Sequence, residues 1–296
     1  MRAKSRKTSR CSSNPKSVPD IQFFAMRGSS KPQITEQGVP QEINLPKRQN
    51  SSDTRRTEVH ALPAVAVFAR TATPGRTKTR LIPALGPEGA AEFHRALVSD
   101  SLRKVAKLKG KMTRTLFIGD GAMPLSLVPS CFGCRKQSGR NLGARLGNAF
   151  DFLLRQHSRA LVIGTDSPAI TPWTLRVALD ELRSVDAVLG PCPDGGYYLI
   201  GLRRFARGLF GKVRLGSKFA FEDTLGSLLA HGFSCSVLEP CPDIDRPEDL
   251  RKLREELLKR PSARRLMPRT WQFLSSRNVP NAKTTEQAKP VACPGP

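Results

Sequence analysis

The sequence is poor in aromatic residues, poor in histidine and short of acids. Aromatics make up 6% of the 296 residues, with two Trp and two Tyr, and there are four His. Long apolar runs are missing too: none reaches the ~18–20 residues that a membrane-crossing helix needs. Residues 1–20 are basic but hold no apolar stretch, so no secretory signal is expected and the chain reads as soluble and cytoplasmic. Of the seven cysteines (Cys11, Cys131, Cys134, Cys192, Cys235, Cys241 and Cys293), only Cys131 and Cys134 form a C-x-x-C. Neither a second C-x-x-C nor a close His pair completes a zinc site. The odd count and the missing signal point to reduced thiols. Also absent are the G-x-x-x-x-G-K-[ST] of a P-loop and the G-x-G-x-x-G of a dinucleotide fold. His60 lies at the edge of a tail, while His94, His157 and His231 fall within or at the end of helical patterns. With no His at a strand end, a Ser-His-Asp catalyst is not expected.

What is present in excess is positive charge. Lys and Arg number 49 against 25 Asp and Glu, a net charge of +24. Residues 1–61 carry 12 bases against 5 acids and residues 261–296 carry 6 against 1, so the tails hold half of the excess. Basic tails suit solvated arms, or contacts with nucleic acid and anionic surfaces, but no recognised nucleic-acid motif accompanies them. A basic middle suits a phosphate-bearing substrate. Hydrophobic residues make up 39%, enough for a sizeable core.

Residues 1–61 and 261–296 show no apolar period and are expected to be mostly disordered, the second with one apolar patch at Trp271–Leu274. Between them strand and helix signals alternate. Strands are expected at 64–69, 115–119, 159–164, 186–190, 197–202 and 234–238, and helices at 87–108, 142–156, 172–182, 219–231 and 247–259. The alternation predicts one domain over residues 62–260. Its expected class is α/β, a three-layer α/β/α sandwich around a mostly parallel sheet.

In Ala160-Leu-Val-Ile-Gly-Thr-Asp-Ser-Pro-Ala169, four apolar residues run into a glycine and then a carboxylate. This pattern reads as a buried strand of a largely parallel sheet. Ligands of open α/β sheets bind beyond the carboxyl ends of such strands, so Asp166 stands where a metal or phosphate ligand would stand. Alternatively, Asp166 or Ser167 caps the next helix. Asp245, in Asp243-Ile-Asp-Arg-Pro-Glu-Asp-Leu250, precedes a Pro-started helix and carries the same two readings. Hard divalent ions take oxygen ligands, commonly one or two carboxylates plus substrate phosphate for Mg²⁺. Asp166 and Asp245 would then share one Mg²⁺ or Mn²⁺.

The connection after the first strand reads Phe68-Ala-Arg-Thr-Ala-Thr-Pro-Gly-Arg-Thr-Lys-Thr-Arg80. Arg76, Lys78 and Arg80 stand two apart and point the same way if the segment is extended. Pro74-Gly75 turns the chain and removes bulk, so backbone amides can approach a ligand. Together with Arg70 these cations suit a diphosphate, Arg through bidentate contacts and Lys as a point charge. The plain alternative is a solvated basic loop. Between two later strands lies Gly190-Pro-Cys-Pro-Asp-Gly-Gly-Tyr-Tyr-Leu-Ile-Gly201. Asp194-Gly195-Gly196 is either a tight hairpin turn or the acceptor side of a site. On the second reading Tyr197 and Tyr198 floor a flat ring or sugar, and Asp194 accepts a proton from an attacking hydroxyl.

Taken in order, F-A-R-x-x-x-P-G-R-x-K-T-R-L, I-G-T-D-S-P, G-P-x-x-D-G-G-Y-Y-L-I-G and D-I-D-x-P-E-D-L resemble a known family. It is the transferase 1 family associated with radical-SAM and selenoprotein domains, long catalogued as a domain of unknown function. That family is similar to the nucleotide-diphospho-sugar transferases of the glycosyltransferase A fold. It is distantly similar to the nucleotidyltransferases of molybdenum-cofactor and coenzyme F420 synthesis. The resemblance covers residues 62–260. It implies that Arg70, Gly75, Arg76, Lys78 and Arg80 hold a nucleotide diphosphate and that Asp166 and Asp245 bind the metal. It also implies that Asp194, Gly195 and Gly196 line the acceptor side. The chain departs from the family pattern at Asn141, Leu215 and Arg246, where Asp, Trp and Thr are usual. Asn141 removes a charge and Leu215 a stacking surface. The function expected is metal-dependent transfer of a sugar from a nucleotide sugar to a small-molecule acceptor. The alternatives are a nucleotidyltransferase that releases pyrophosphate from an NTP, and a non-catalytic nucleotide- or RNA-binding protein.

Overall fold

Alternation along Ala64–Ala69 sets the layering. Val65, Val67 and Ala69 pack on one side of the sheet and Ala64 and Ala66 on the other, and all five are buried. A strand apolar on both faces needs cover on both. The computed structural model describes the backbone of Gln22–Phe23 and residues 62–277 other than 122. The strands are β1 (Gln22–Phe23), β2 (Ala64–Ala69), β3 (Thr113–Ile118), β4 (Phe132–Lys136), β5 (Ala160–Ile163), β6 (Ala187–Pro191), β7 (Tyr197–Leu202) and β8 (Cys235–Val237). They form one sheet in the order β1-β8-β6-β7-β5-β2-β3-β4. β7 runs antiparallel to β5 and β6, and every other pairing is parallel. The mostly parallel α/β sandwich expected from the sequence is therefore the fold that forms.

The helices are α1 (Ile82–Ala106), α2 (Leu142–Leu154), α3 (Pro172–Glu181), α4 (Ala220–Ala230), α5 (Pro247–Lys259), α6 (Pro261–Leu266) and α7 (Pro268–Ser276). Val98, Leu102 and Val105 of α1 join Leu175 and Ala178 of α3 on one face of the sheet. Phe150 and Leu153 of α2 join Leu228 of α4 on the other. α1 is interrupted at Gly86 (φ 71°, ψ 167°), just before Pro87, the residue at which the sequence predicts the helix to start.

The fold departs from the sequence expectation at β1, which lies in the segment expected to be mostly disordered, and at two further places. β4, which carries Cys134, was not predicted. It is an edge strand, exposed at every residue but Phe132, so no apolar alternation marks it. The second of the two is the boundary at residue 260. Residues 261–277 are not a disordered tail: α7 docks on the outer side of α1, and α6 joins it to α5. There Phe273 and Leu274 pack with Phe93 and Leu97 of α1 and with Leu250, Leu253 and Leu257 of α5. Buried Asp100 of α1 accepts from the backbone N–H groups of Arg269 (3.1 Å) and Thr270 (2.8 Å), capping the free amides at the start of α7. The rest of the expected disorder, in residues 1–21, 24–61 and 278–296, lies outside the described residues.

Candidate functional site

The loops that follow β2 and β5, neighbouring strands of the sheet, meet the loop that follows β8, where Lys78, Asp166 and Ile244–Asp245 come together. The loop after β2 is pinned by Thr77. Its buried hydroxyl donates to the Thr71 carbonyl (2.9 Å) and accepts from the Thr73 N–H (3.1 Å). Gly75 at φ 73° completes the Pro74-Gly75 turn, and Lys78 follows at φ 49°, the only positive φ outside glycine among the described residues. The expectation that Arg76, Lys78 and Arg80 share one side therefore fails. It required an extended segment, whereas the chain turns at Gly75, crosses the left-handed region at Lys78 and enters a 3₁₀ turn over Thr79–Leu81. Arg76 faces solvent and Lys78 is turned inward.

Inward, Lys78 meets both acids singled out in the sequence. Its Nζ lies 2.8 Å from Asp166 Oδ1 and 3.3 Å from Asp245 Oδ1, and donates to the Ile244 carbonyl at 2.7 Å. Arg80 Nη1 reaches Asp245 Oδ2 at 2.7 Å. The two acidic segments are also joined through the backbone, Ile244 N–H donating to the Asp166 carbonyl (2.8 Å). Neither acid is a helix cap. Thr171 caps α3, its hydroxyl accepting from the Thr174 N–H, so Ser167 does not cap it either and instead faces the Cys192 thiol. At α5 the Asp249 carboxylate accepts from the N–H groups of Asp245 and Arg246. The Asp245 side chain is thereby left to the cations. Burial pushes the Asp166 pKa up, but the adjacent Lys78 ammonium outweighs it, with His94 and Arg70 adding, and holds the carboxyl below its usual range.

His94 is a residue that the sequence reading passed over. It lies on the buried face of α1, with Nε2 3.2 Å from the Arg70 carbonyl oxygen and Nδ1 4.0 Å from Asp166 Oδ1. Burial lowers its pKa against the pull of Asp166. Helical spacing was the available signal, since position 94 shares the apolar face of Ala91, Leu97 and Val98. Asp243 was passed over as well. The carboxylates of Asp194 and Asp243 and the Cys192 thiol lie within 4.8 Å of one another. Burial, then the Asp194 charge, pushes Asp243 up to about 6. Cys192 is pushed up to about 12, chiefly by burial.

Asp194 stands in the tight turn that its sequence also suggested, its Oδ1 accepting from the Gly196 N–H at 2.9 Å. Gly195 has φ 88°, and a Cβ there would run into the Lys218 carbonyl. The two tyrosines do not form one floor. Successive strand residues point to opposite faces, so Tyr197 packs with the α2–α4 layer and its hydroxyl is buried. Tyr198 packs with the α1–α3 layer, where its hydroxyl donates to the Glu239 carbonyl (3.1 Å). Asn141 caps α2 by accepting from the Ala144 N–H (2.9 Å), a role that Asp and Asn fill about equally. Arg70, Thr71 and Thr73 line a cavity of about 250 Å³ with Arg95, Gly121 and Met123 beside the loop.

The donor set at Asp166 and Asp245 fits a hard divalent ion. Both side chains offer only oxygen. Asp166 is half-exposed although its Oδ1 is buried, so its exposure lies toward the other oxygen.

A model of the family described as an uncharacterized protein conserved in bacteria (DUF2064) matches residues 102–217. Asp166 and Asp194 lie inside that match, and Lys78 and Asp245 outside it. No curated protein sequence matches the chain. Among solved structures, the 4-diphosphocytidyl-2C-methyl-D-erythritol synthase of Anaerococcus prevotii is 13% identical, with a TM-score of 0.47 over 68% of this chain and 97% of that one. A cytidylyltransferase of Leptospira borgpetersenii is 12% identical, with a TM-score of 0.47 over 75% and 100%. A candidate nucleotide-diphospho-sugar transferase of Desulfovibrio desulfuricans G20 is 28% identical, with a TM-score of 0.66 over 73% of this chain and 95% of that one. The chain thus has the fold of the nucleotide-diphospho-sugar transferase type, and the paired acids and inward lysine lie at the carboxyl ends of its strands.

Proposed function

We propose that this protein is a transferase that takes a nucleotide-activated donor, moving a sugar from a nucleotide sugar to a small-molecule acceptor. One observation carries the reading. The cation-rich loop after β2 brings Lys78 and Arg80 onto Asp166 and Asp245, so positive groups for a diphosphate and oxygen ligands for its metal occupy one place. A solvated basic loop would not bury its lysine. The likeness to a candidate nucleotide-diphospho-sugar transferase supports the same reading.

Arg70, Lys78 and Arg80 bind the donor phosphates, with Arg76 left toward solvent, and the turn at Gly75 leaves room for a phosphate against the backbone. Asp166 and Asp245 would hold Mg²⁺ or Mn²⁺, which supplies Lewis-acid neutralisation of the diphosphate. Asp194, beside Gly195 and Gly196, takes the proton of the acceptor hydroxyl. The acceptor oxygen bonds to the sugar carbon as the bond from that carbon to the diphosphate oxygen breaks, its electron pair staying on the diphosphate. Preplaced cations favour that developing charge.

A thermal-shift screen of nucleotide sugars and NTPs with Mg²⁺ or Mn²⁺ tests the reading, since a ligand of the native state raises its apparent stability. The expected result is stabilisation by a nucleotide sugar and release of a nucleoside diphosphate on turnover. Pyrophosphate release from an NTP would assign a nucleotidyltransferase instead. RNA binding that falls steeply with salt, with no nucleotide effect, would assign a binding protein. Asp166→Ala is expected to abolish Mn²⁺-dependent binding of nucleoside diphosphates, and unchanged binding would remove the metal assignment.

A further inference from the structure

The ammonium of Lys78 occupies the place between Asp166 and Asp245 that a bridging divalent ion would need. Its side chain is 3% exposed, whereas those of Asp166 and Asp245 are 50% and 34% exposed. A lysine ammonium has three donors, and three acceptors surround this one: the two carboxylates and the Ile244 carbonyl. A buried charge is tolerated only when paired in this way. The backbone at Lys78 lies in the left-handed region, unfavourable for a side chain with a Cβ, and the pairing holds it there. Arg80 is no comparable barrier, because it is largely exposed and touches only the outer oxygen of Asp245.

An ion bound to both carboxylates at about 2.1 Å would sit against that ammonium. Three units of positive charge would then share a pair of single negative charges. A diphosphate changes the balance, because its oxygens give Lys78 another anionic partner. Resting on the donor reading above, we propose that Lys78 is a built-in counter-cation. It closes the acidic pair to free divalent ions and yields it to an ion that arrives with a diphosphate. Metal and anion then bind with positive coupling through one side chain.

The experiment measures Mn²⁺ binding to the full chain by the electron paramagnetic resonance signal of free Mn²⁺. It is run alone, with inorganic pyrophosphate and with UDP, and protein-free controls correct for the Mn²⁺ complexes of each anion. Wild type is expected to bind Mn²⁺ about tenfold more tightly, or better, when either anion is present, within the 5–150-fold range usual for coupled ligands. Lys78→Met is expected to bind Mn²⁺ alone about tenfold more tightly than wild type and to lose most of the coupling. Lys78→Arg, which keeps the charge, is expected to exclude free Mn²⁺ as wild type does. Wild type binding Mn²⁺ equally well with and without anion overturns the inference, whether or not the variants fold. So does a folded Lys78→Met no tighter than wild type. If Lys78→Met gains Mn²⁺ affinity and pyrophosphate couples in wild type but UDP does not, the counter-cation stands and the nucleotide reading falls.

Discussion

Thr77 shows how much of the site depends on single uncharged residues. It sits among four basic side chains, yet its hydroxyl is what shapes the loop that carries them. Thr77→Val removes both of these bonds and leaves the loop with only the one from the Thr73 N–H to the Thr71 carbonyl (3.0 Å). It is expected to cost about 1–3 kcal/mol of stability, the usual net worth of two hydrogen bonds. Denaturant unfolding measures that cost, and calorimetry should show weaker binding of nucleoside diphosphates. At Gly195, φ is 88° and any Cβ meets the Lys218 carbonyl. Gly195→Ala is expected to lower stability by about 1–3 kcal/mol or more for the backbone alone. A thermal midpoint equal to that of wild type would contradict it.

Single residues were also where the sequence was most ambiguous. Asp166 and Asp245 each had a capping reading, since an acid before a Pro-started helix satisfies both roles. Thr171 and Asp249 take the caps, and spacing cannot choose between two suitable residues a few positions apart. For His94 and Asp243 the sequence carries no sign of a place beside Asp166 or Asp194, for another reason. Each comes to that place through the packing of an element that its own sequence describes only as a helix or a loop.

At the scale of elements, α6 and α7 carry the main structural revision. Their sequence is basic and short on apolar period, yet α7 buries Thr270, Phe273 and Leu274 against α1 and α5. A chain ended after residue 260 is expected to leave Leu97, Phe93 and the inner face of α5 uncovered and to melt well below wild type. Leu274→Ala alone is expected to cost about 2–5 kcal/mol, the range for a fully buried leucine. Denaturant titration of both proteins checks this. β7 shows the opposite case. Strand alternation was legible from the sequence, and applied to Tyr197 and Tyr198 it would have separated them at once.

At the scale of the whole molecule, burial of charge ties stability to pH. Lys104 lies in the interior of α1 and donates to the Pro168 carbonyl, just past Asp166. Burial, against the attraction of Asp100, lowers its pKa from 10.5 to about 8. Below pH 8 both folded and unfolded chains hold this proton, and the folded state bears the full cost of a buried ammonium. Between about 8 and 10.5 the unfolded chain holds the proton and the folded chain does not, so this group's contribution to stability rises with pH. Lys104→Met lacks that term. The stability of wild type relative to Lys104→Met is therefore expected to increase from pH 8 to pH 10.5, measured by denaturant unfolding across that window. A flat difference would show that the ammonium is solvated.

The sequence by itself determined the layered α/β class, the strand ends at which Asp166, Asp194 and Asp245 fall, and the basic loop beside them. These follow from local periodicity, turn residues and composition, which act over a few positions. Tertiary structure alone decided that Lys78 turns inward while Arg76 does not, and that Lys78 joins two acids from distant strands. It also decided that His94 lies beside Asp166, that Asp243 lies beside Asp194, and that residues 261–277 belong to the fold. Each depends on contacts between segments up to about 170 positions apart, where burial selects the side chain that can be paired.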